Sequence, residues 1–372
     1  MSDNQSLLWK SFLVLAVFSG GLMVGVYWPS PTSRPDTQVS AQDQEVQFPP
    51  RGGSLALAPS RRFIFLPLNN PGVVPAAMAS HMKAEDLIAG LAVNGQARAY
   101  PLWILVAYHV VNDTIQDSPV MLAFCEICSG ASSFRPVVDG FEEKSLSFQI
   151  HGIARGTFTV YDYQTQTVWS PFTGRTLEGR LHPSRMDRIP LIVETWGDWI
   201  KRFPDTDVVF ASTKFKEREH GRGENNLIGA EYIPEGFQAV ANMDDTRLAR
   251  NALVFGLTNL QGDKSIAFPL ELLEKQNQML RYNFDNESYL LRKIGEFGVV
   301  AFRLQEGQEE KSYQQTGENP FRLADDAGGL WDEFGNALNE SRDKRDLAVA
   351  DGYFTEWYEW VSGYPESEIA SP

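Results

Sequence analysis

Apolar and polar side chains alternate most sharply between Ile88 and Tyr100, on either side of Asn94-Gly95. An Asn-Gly pair accepts φ > 0 at both central positions, so the stretch predicts two antiparallel strands joined by a two-residue turn. Pro119 to Phe124 is a short apolar run, the pattern of a buried strand. Asp139-Gly140 predicts another turn, between strands at Phe134–Val138 and Leu146–Ile150, and Thr157 to Tyr163 alternates again. Two helices interrupt the strands. One opens at Pro101, whose fixed φ suits the first helical position. The other runs from about Thr195 to Arg202, carries Trp196, Trp199 and Ile200 at helical spacing, and stops before Pro204. The pattern predicts a β-rich α+β fold with mostly antiparallel sheet.

The pattern then repeats. Asp86 to Leu105 resembles Asn251 to Leu273: strand, polar turn, a second strand ending in Ala99-Tyr100-Pro101 or Ala267-Phe268-Pro269, then a helix. Trp169 to Leu177 matches Trp331 to Leu338, and Glu194 to Val209 matches Phe354 to Ile369. Pro101 to Trp169 is 68 positions and Pro269 to Trp331 is 62; Trp169 to Trp196 is 27 and Trp331 to Trp357 is 26. Three blocks in one order at near-equal spacing predict two tandem copies of one module, residues 63–212 and 248–372. Residues 213–247, charged and aperiodic from Lys214, read as the linker. Trp169, Trp196 and Trp331 recur with the repeat and are expected in the module cores.

The N-terminus breaks this pattern. Ser11 to Trp28 carries no charge, follows Lys10 and precedes Pro29. Eighteen residues at about 1.5 Å each reach ~27 Å, enough for a transmembrane helix. A cleaved signal peptide would have a shorter apolar region ending at a small-residue site, so residues 1–28 are expected to be a retained membrane anchor. Gly21 and Gly25 form a small-xxx-small pair within it. Residues 29–62, rich in Pro, Ser, Gln and Asp, read as a flexible tether. A single span ahead of a large body places that body outside the inner membrane, in the periplasm or the extracellular space.

Composition narrows the function. With 43% hydrophobic and 12% aromatic residues the chain is a folding one. A net charge of -15 and the lack of a basic stripe exclude nucleic acid as a partner. No Walker loop, GxGxxG, GxSxG or HExxH motif occurs, so no nucleotide cofactor is expected; a protein partner stays unidentified.

The remaining chemistry sits in the first copy. The chain has two cysteines, Cys125 and Cys128. Their spacing lets both sulfurs reach one metal from a tight turn, and equally lets them act as a redox pair or close a small staple. The residues after Gly130 read as strand and turn, which argues against a thioredoxin fold. A metal needs further ligands. His109, at the end of the helix from Pro101, and His151, at the end of the strand after Asp139-Gly140, are the candidates, provided that strand pairs near the cysteines. Two thiolates with imidazole suit copper or zinc. Asp113 is a candidate to orient an imidazole, and Tyr161 and Asp162 are candidates to line the site. Asp162-x-x-Thr165 is also ordinary turn chemistry. His81, His182 and His220 are expected in exposed loops. Position 109 corresponds to Asn277 in the second copy, and no cysteine or histidine follows His220, so the second copy reads as scaffold or lid.

Ala99-Tyr100-Pro101-Leu102, Val110-Val111-Asn112-Asp113, Cys125-x-x-Cys128-x-Gly130 and Tyr161-Asp162-x-x-Thr165 leading to Trp169 and Gly174 together resemble the domain of unknown function family 3179. The resemblance runs from about Pro67 to Pro365 and implies no particular activity. The chain departs from the family pattern at Tyr108-His109, where His-Glu is common, at Glu126-Ile127 between the cysteines, and at His151-Gly152. The leading expectation is an anchored extracytoplasmic protein binding copper or zinc through Cys125, Cys128 and His109 or His151. The alternatives are a thiol–disulfide oxidoreductase and a non-catalytic binding or assembly module.

Overall fold

The computed structural model describes residues 65–141, 145–210, 228–229, 232–276, 278–318 and 321–371. The predicted anchor and tether, His220, Asn277 and most of the predicted linker lie outside the described residues. No helix among those described is long and apolar enough to cross a membrane.

Strands Leu87–Val93 and Gln96–Pro101 pair from Ile88↔Pro101 to Val93↔Gln96. Asn94 (φ 50) and Gly95 (φ 81) make the turn in the left-handed region that the pair suits. Pro101 closes the second strand and caps α1 (Leu102–Tyr108), so this helix starts one residue later than the proline rule suggests. α2 (Trp196–Arg202) is capped by Thr195, whose Oγ1 accepts from the Asp198 amide at 3.2 Å. α3 (Glu235–Ala239), α4 (Leu270–Lys275) and α5 (Trp357–Gly363) complete the α-helices of the described residues.

Strands dominate and fall into several mostly antiparallel sheets. The Asp139-Gly140 turn forms, with Gly140 at φ 78. Its flanking strands do not pair. Gly130–Arg135 runs beside Ser118–Cys125 in a nine-stranded sheet, whereas Phe148–Ala154 pairs with Thr157–Asp162 in a separate four-stranded one. Pro136, with no N–H to donate, ends the first ladder. The condition that would have carried His151 toward the cysteines through strand pairing is therefore not met. Trp169, Trp196 and Trp331 are buried, as expected of core residues, while His81 is half-buried against the Phe210 ring rather than exposed.

One succession occurs twice. Ile192–Thr195 flanks Leu87–Val93, which pairs with Gln96–Pro101, which takes Asp207–Val209 in parallel. Gly352–Glu356 flanks Leu253–Thr258, which pairs with Ser265–Pro269, which takes Glu368–Ile369 in parallel. In each set a strand glycine lies beneath an indole from the following helix. A Cβ on Gly90 would meet Trp199 at 2.3 Å, and one on Gly256 would meet Trp360 at 2.1 Å. Each indole N–H donates seven residues onward, Trp199 to Thr206 Oγ1 (3.1 Å) and Trp360 to Ser367 Oγ (2.7 Å).

The halves interlock. The meander Val110–Ile115, Ser118–Cys125, Gly130–Arg135 joins the later half through Ala131↔Phe354. Conversely, Trp199 and Ile88 share a core with Leu290, Phe302 and Trp331. Arg202 of α2 donates to Glu194 and, through Nε at 3.1 Å, to Glu333 across the seam. Removing one partner from so buried a network strands a charge. The described residues accordingly fall in one compact unit.

Gly256→Ala drives a methyl into the Trp360 ring and is expected to cost on the order of 1–3 kcal/mol or more. Urea denaturation checks this; an unchanged midpoint would show that the glycine–indole contact does not constrain the sheet.

Candidate functional site

Cys125 is the last residue of its strand and pairs with Gly130, the first of the next. The turn between them reverses through Ser129 at φ 57. Gly130 cannot be replaced freely, because a Cβ there would sit 2.8 Å from the Phe172 ring. The turn is held from the other half of the chain. Cys128 O accepts from the Glu356 amide and from Thr355 Oγ1, both at 2.9 Å. Ser129 Oγ donates to Glu356 Oε1 at 2.8 Å and accepts from the Gly229 amide at 2.8 Å. Glu356 is the residue that caps α5, so the cysteine turn rests on the first turn of that helix.

Both sulfurs are free thiols and both are buried. Cys128 Sγ lies 3.5 Å from Thr157 Oγ1. Burial, then the adjacent Cys125 thiol and the Glu359 carboxyl, push the Cys128 thiol well above its ordinary range. The carboxyls of α5 are displaced in the same sense. Burial raises Glu356 to about 8 against the Ser129 hydrogen bond, and raises Glu359 to about 8 against Thr355 and Tyr353. Tyr353 OH donates to Glu359 Oε2 at 3.1 Å. Tyr358 OH and Glu356 Oε2 are buried with no hydrogen-bond partner among the described residues. Burial, followed by the two thiols, raises the Tyr358 phenol. A cavity of about 30 Å³, room for one or two waters, is lined by Arg155, Thr157, Phe158, Tyr353, Glu359 and Tyr364. Thr157 connects this small space to Cys128, and Glu359 lines it beside Thr157.

The other predicted residues divide into four places. His109 follows α1 at φ 62, stacks on Phe65 at 4.3 Å and puts Nε2 3.3 Å from Glu126 Oε2, near but not aligned as a hydrogen bond. Its carbonyl accepts from Phe124, so it sits beside the cysteine turn. His151 stands at a bulge between Ile150 and Gly152, with its ring 6.0 Å from Tyr161. The neighbouring Ile150 and Val160 enter the core that holds the cysteines, whereas His151 and Tyr161 are only partly buried, on the opposite side of the strands. Asp113 is engaged elsewhere, accepting from Arg98 Nη1 (2.8 Å), Tyr100 OH (2.7 Å) and the Thr114 amide (2.7 Å). Asp162 is the turn device, accepting from the Thr165 amide, Thr165 Oγ1 and Trp169 Nε1. Among the described residues no group of three or more His, Cys, Asp or Glu side chains is arranged to hold a metal ion.

Glu356, Tyr358 and Glu359 escape a reading that looks for chemistry only in the first half. The signal was in the matched blocks: Thr195-Trp196-Gly197-Asp198 stands where Glu356-Trp357-Tyr358-Glu359 stands. Asp198 is half-exposed and pairs with Lys201, whereas Glu359 is buried and pairs with no cation among the described residues. A buried acid at the cap of the helix and another within its first turn are out of place for scaffold.

Fold and site together define a β-rich protein of interlocked antiparallel sheets around a buried dithiol turn. Residues 66–367 match the family described as "Protein of unknown function (DUF3179)", and the chain belongs to it. No curated protein and no solved structure matches the chain.

The raised carboxyls fix the sign of a pH effect. Glu194 (about 7), Glu356 and Glu359 (about 8) keep protons that an unfolded carboxyl loses above ~4.3. The unfolded state therefore binds fewer protons over roughly pH 5–8, and stability falls as pH rises through that window. His151, lowered by burial, works the other way only below about pH 6.5. Glu359→Gln removes one share of the slope, so its urea midpoint should fall less steeply with pH than that of the parent. Parallel profiles would show that Glu359 is ionised in the fold.

Proposed function

We propose that this is a membrane-anchored, extracytoplasmic protein whose Cys125–Cys128 pair cycles between dithiol and disulfide, with Glu359 taking the thiol proton. One observation carries this reading: two free thiols on one turn, clamped by the start of a helix whose Glu359, of pKa about 8, lines a small cavity together with Thr157, the neighbour of Cys128. A base with a pKa near the working pH is the efficient one, and such perturbed groups cluster where chemistry occurs. The cavity admits a molecule of water's size rather than a folded partner's disulfide, which favours a hydroperoxide as oxidant. In the minority of molecules whose Glu359 is ionised at neutral pH, Cys128 gives its proton to Glu359, attacks one peroxide oxygen and becomes a sulfenic acid as hydroxide leaves and takes up that proton. The Cys125 thiol then displaces the sulfenic oxygen as a second water and closes the disulfide. Two thiols lose two electrons and two protons; hydrogen peroxide becomes two waters.

Anchoring rests on the uncharged Ser11–Trp28 segment, and duplication on the recurring strand order, the paired Gly90–Trp199 and Gly256–Trp360 contacts, and the matched blocks. On this reading the second copy is part of the site, through α5. The second reading is a copper or zinc centre on Cys125 and Cys128 with His109. It draws on the buried His109 Nδ1, which has no partner among the described residues.

Intact mass after brief exposure to hydrogen peroxide tests the proposal. The native chain should lose two hydrogens and both alkylatable thiols, and Glu359→Gln should slow this by roughly 10²-fold. Thiols that stay reduced until the chain is unfolded would make the pair an inert core element. Stoichiometric metal in the purified chain, lost on Cys125→Ser with Cys128→Ser, would move the assignment to the metal centre.

A further inference from the structure

The outer face of the four-stranded sheet carries side chains that the thiol site does not use. Gln149, His151 and Tyr161 lie there, partly buried, and Tyr163 follows at 43% exposed. Their rings form a row: His151 to Tyr161 at 6.0 Å and Tyr161 to Tyr163 at 5.6 Å, each edge to face. Tyr163 OH donates to Gln149 Oε1, which fixes the outermost ring.

That ring also lines one wall of a groove of about 450 Å³, shared with Asn69, Asn70, Asn112, Ser145 and Ser147. The volume is that of a small-molecule site, roughly 300–1,000 Å³. The polar part of the lining is amide and hydroxyl, set among Pro119, Val120, Pro136 and Leu146. Among the described residues its one carboxylate, Asp113, is spent on Arg98, Tyr100 and the Thr114 amide, so the described lining offers neutral donors and acceptors. The Asn70 side chain and Asn69 Nδ2 donate to no residue among those described, while Asn69 Oδ1 is taken by Asn112 at 2.8 Å. Strand addition by a peptide is blocked at the nearest sheet edge. Asn112 Oδ1 accepts from the Phe148 amide (2.8 Å) and its Nδ2 donates to the Phe148 carbonyl (2.9 Å), which caps both backbone groups.

The geometry points to a neutral saccharide as the occupant: its ring hydroxyls meet the asparagine and serine groups while its C–H face lies on Tyr163, with further sugar units running along Tyr161 and His151. Aromatic faces supply apolar contact at low entropy cost, and free amides supply orientation. No charge on the ligand is called for. The site is independent of the thiol chemistry.

Calorimetric titration of the full chain with three probes tests this: the β-1,4 trimer of glucose, its α-1,4 counterpart, and the trimer of N-acetylglucosamine. At least one should bind. Tyr163→Ala and Asn70→Gly, both at exposed positions and the second keeping the positive φ of Asn70, should each weaken that binding by about tenfold with the urea midpoint unchanged. No binding by any of the three, or binding that both variants leave intact, would overturn the assignment. Binding of a polar, uncharged nonapeptide in place of the sugars would overturn it in favour of peptide recognition.

Discussion

Cys128 gives its carbonyl oxygen to the Glu356 amide and the Thr355 hydroxyl, and the relation between the two halves of the chain turns on that contact. A four-residue turn between strands has little core of its own. This one borrows the first turn of α5, more than two hundred positions later in sequence. The strand leading into α5 pairs with the strand leaving the cysteines, so the clamp and the sheet enforce one another. Burial of the thiols follows from this closure, and the displaced protonation of Cys128, Glu356 and Glu359 follows from burial. The raised proton affinities around the dithiol are thus a consequence of how the halves interlock, rather than of the cysteine spacing alone.

The same constraint explains why both halves need their glycines and tryptophans. Trp199 and Trp360 each lie flat on a strand at a glycine, and each fixes its indole N–H seven residues onward. These contacts set the angle at which α2 and α5 leave their strands. In α2 that angle presents a capped, solvent-facing helix start with Thr195 and Asp198. In α5 it presents Glu356 and Glu359 to the thiols. Similar strand–glycine–indole arrangements with different side chains at the helix start thus give one solvent-facing helix start and one buried against the cysteine turn.

Much of this was legible in sequence wherever a local rule decides the outcome. Asn94-Gly95 specified its hairpin because few other pairs accept two positive φ values, and Pro101 and Pro204 bounded helices because proline cannot continue the ladder of N–H donors. The matched tryptophan blocks named the core. Strand partnership was not legible, because it depends on which edges the fold leaves open. Pro136 sends Phe148–Ala154 to a separate sheet, and that took His151 onto an outer face beside Tyr161. Asp113 and Asp162 looked like site residues by type, yet each is saturated by its own neighbours. Glu356 and Glu359 were visible as acids at the start of an apolar helix, but only the fold brings them to Cys125 and Cys128.

Isotope-edited infrared spectroscopy of the carboxyl carbonyl stretch, with glutamate labelled, tests the coupling of these carboxyls to the dithiol most directly. At neutral pH the chain should show absorption from protonated glutamic acid that diminishes in Glu359→Gln and shifts when Cys125 and Cys128 are oxidised. No protonated-glutamate band at neutral pH, or a band indifferent to the state of the thiols, would contradict the account.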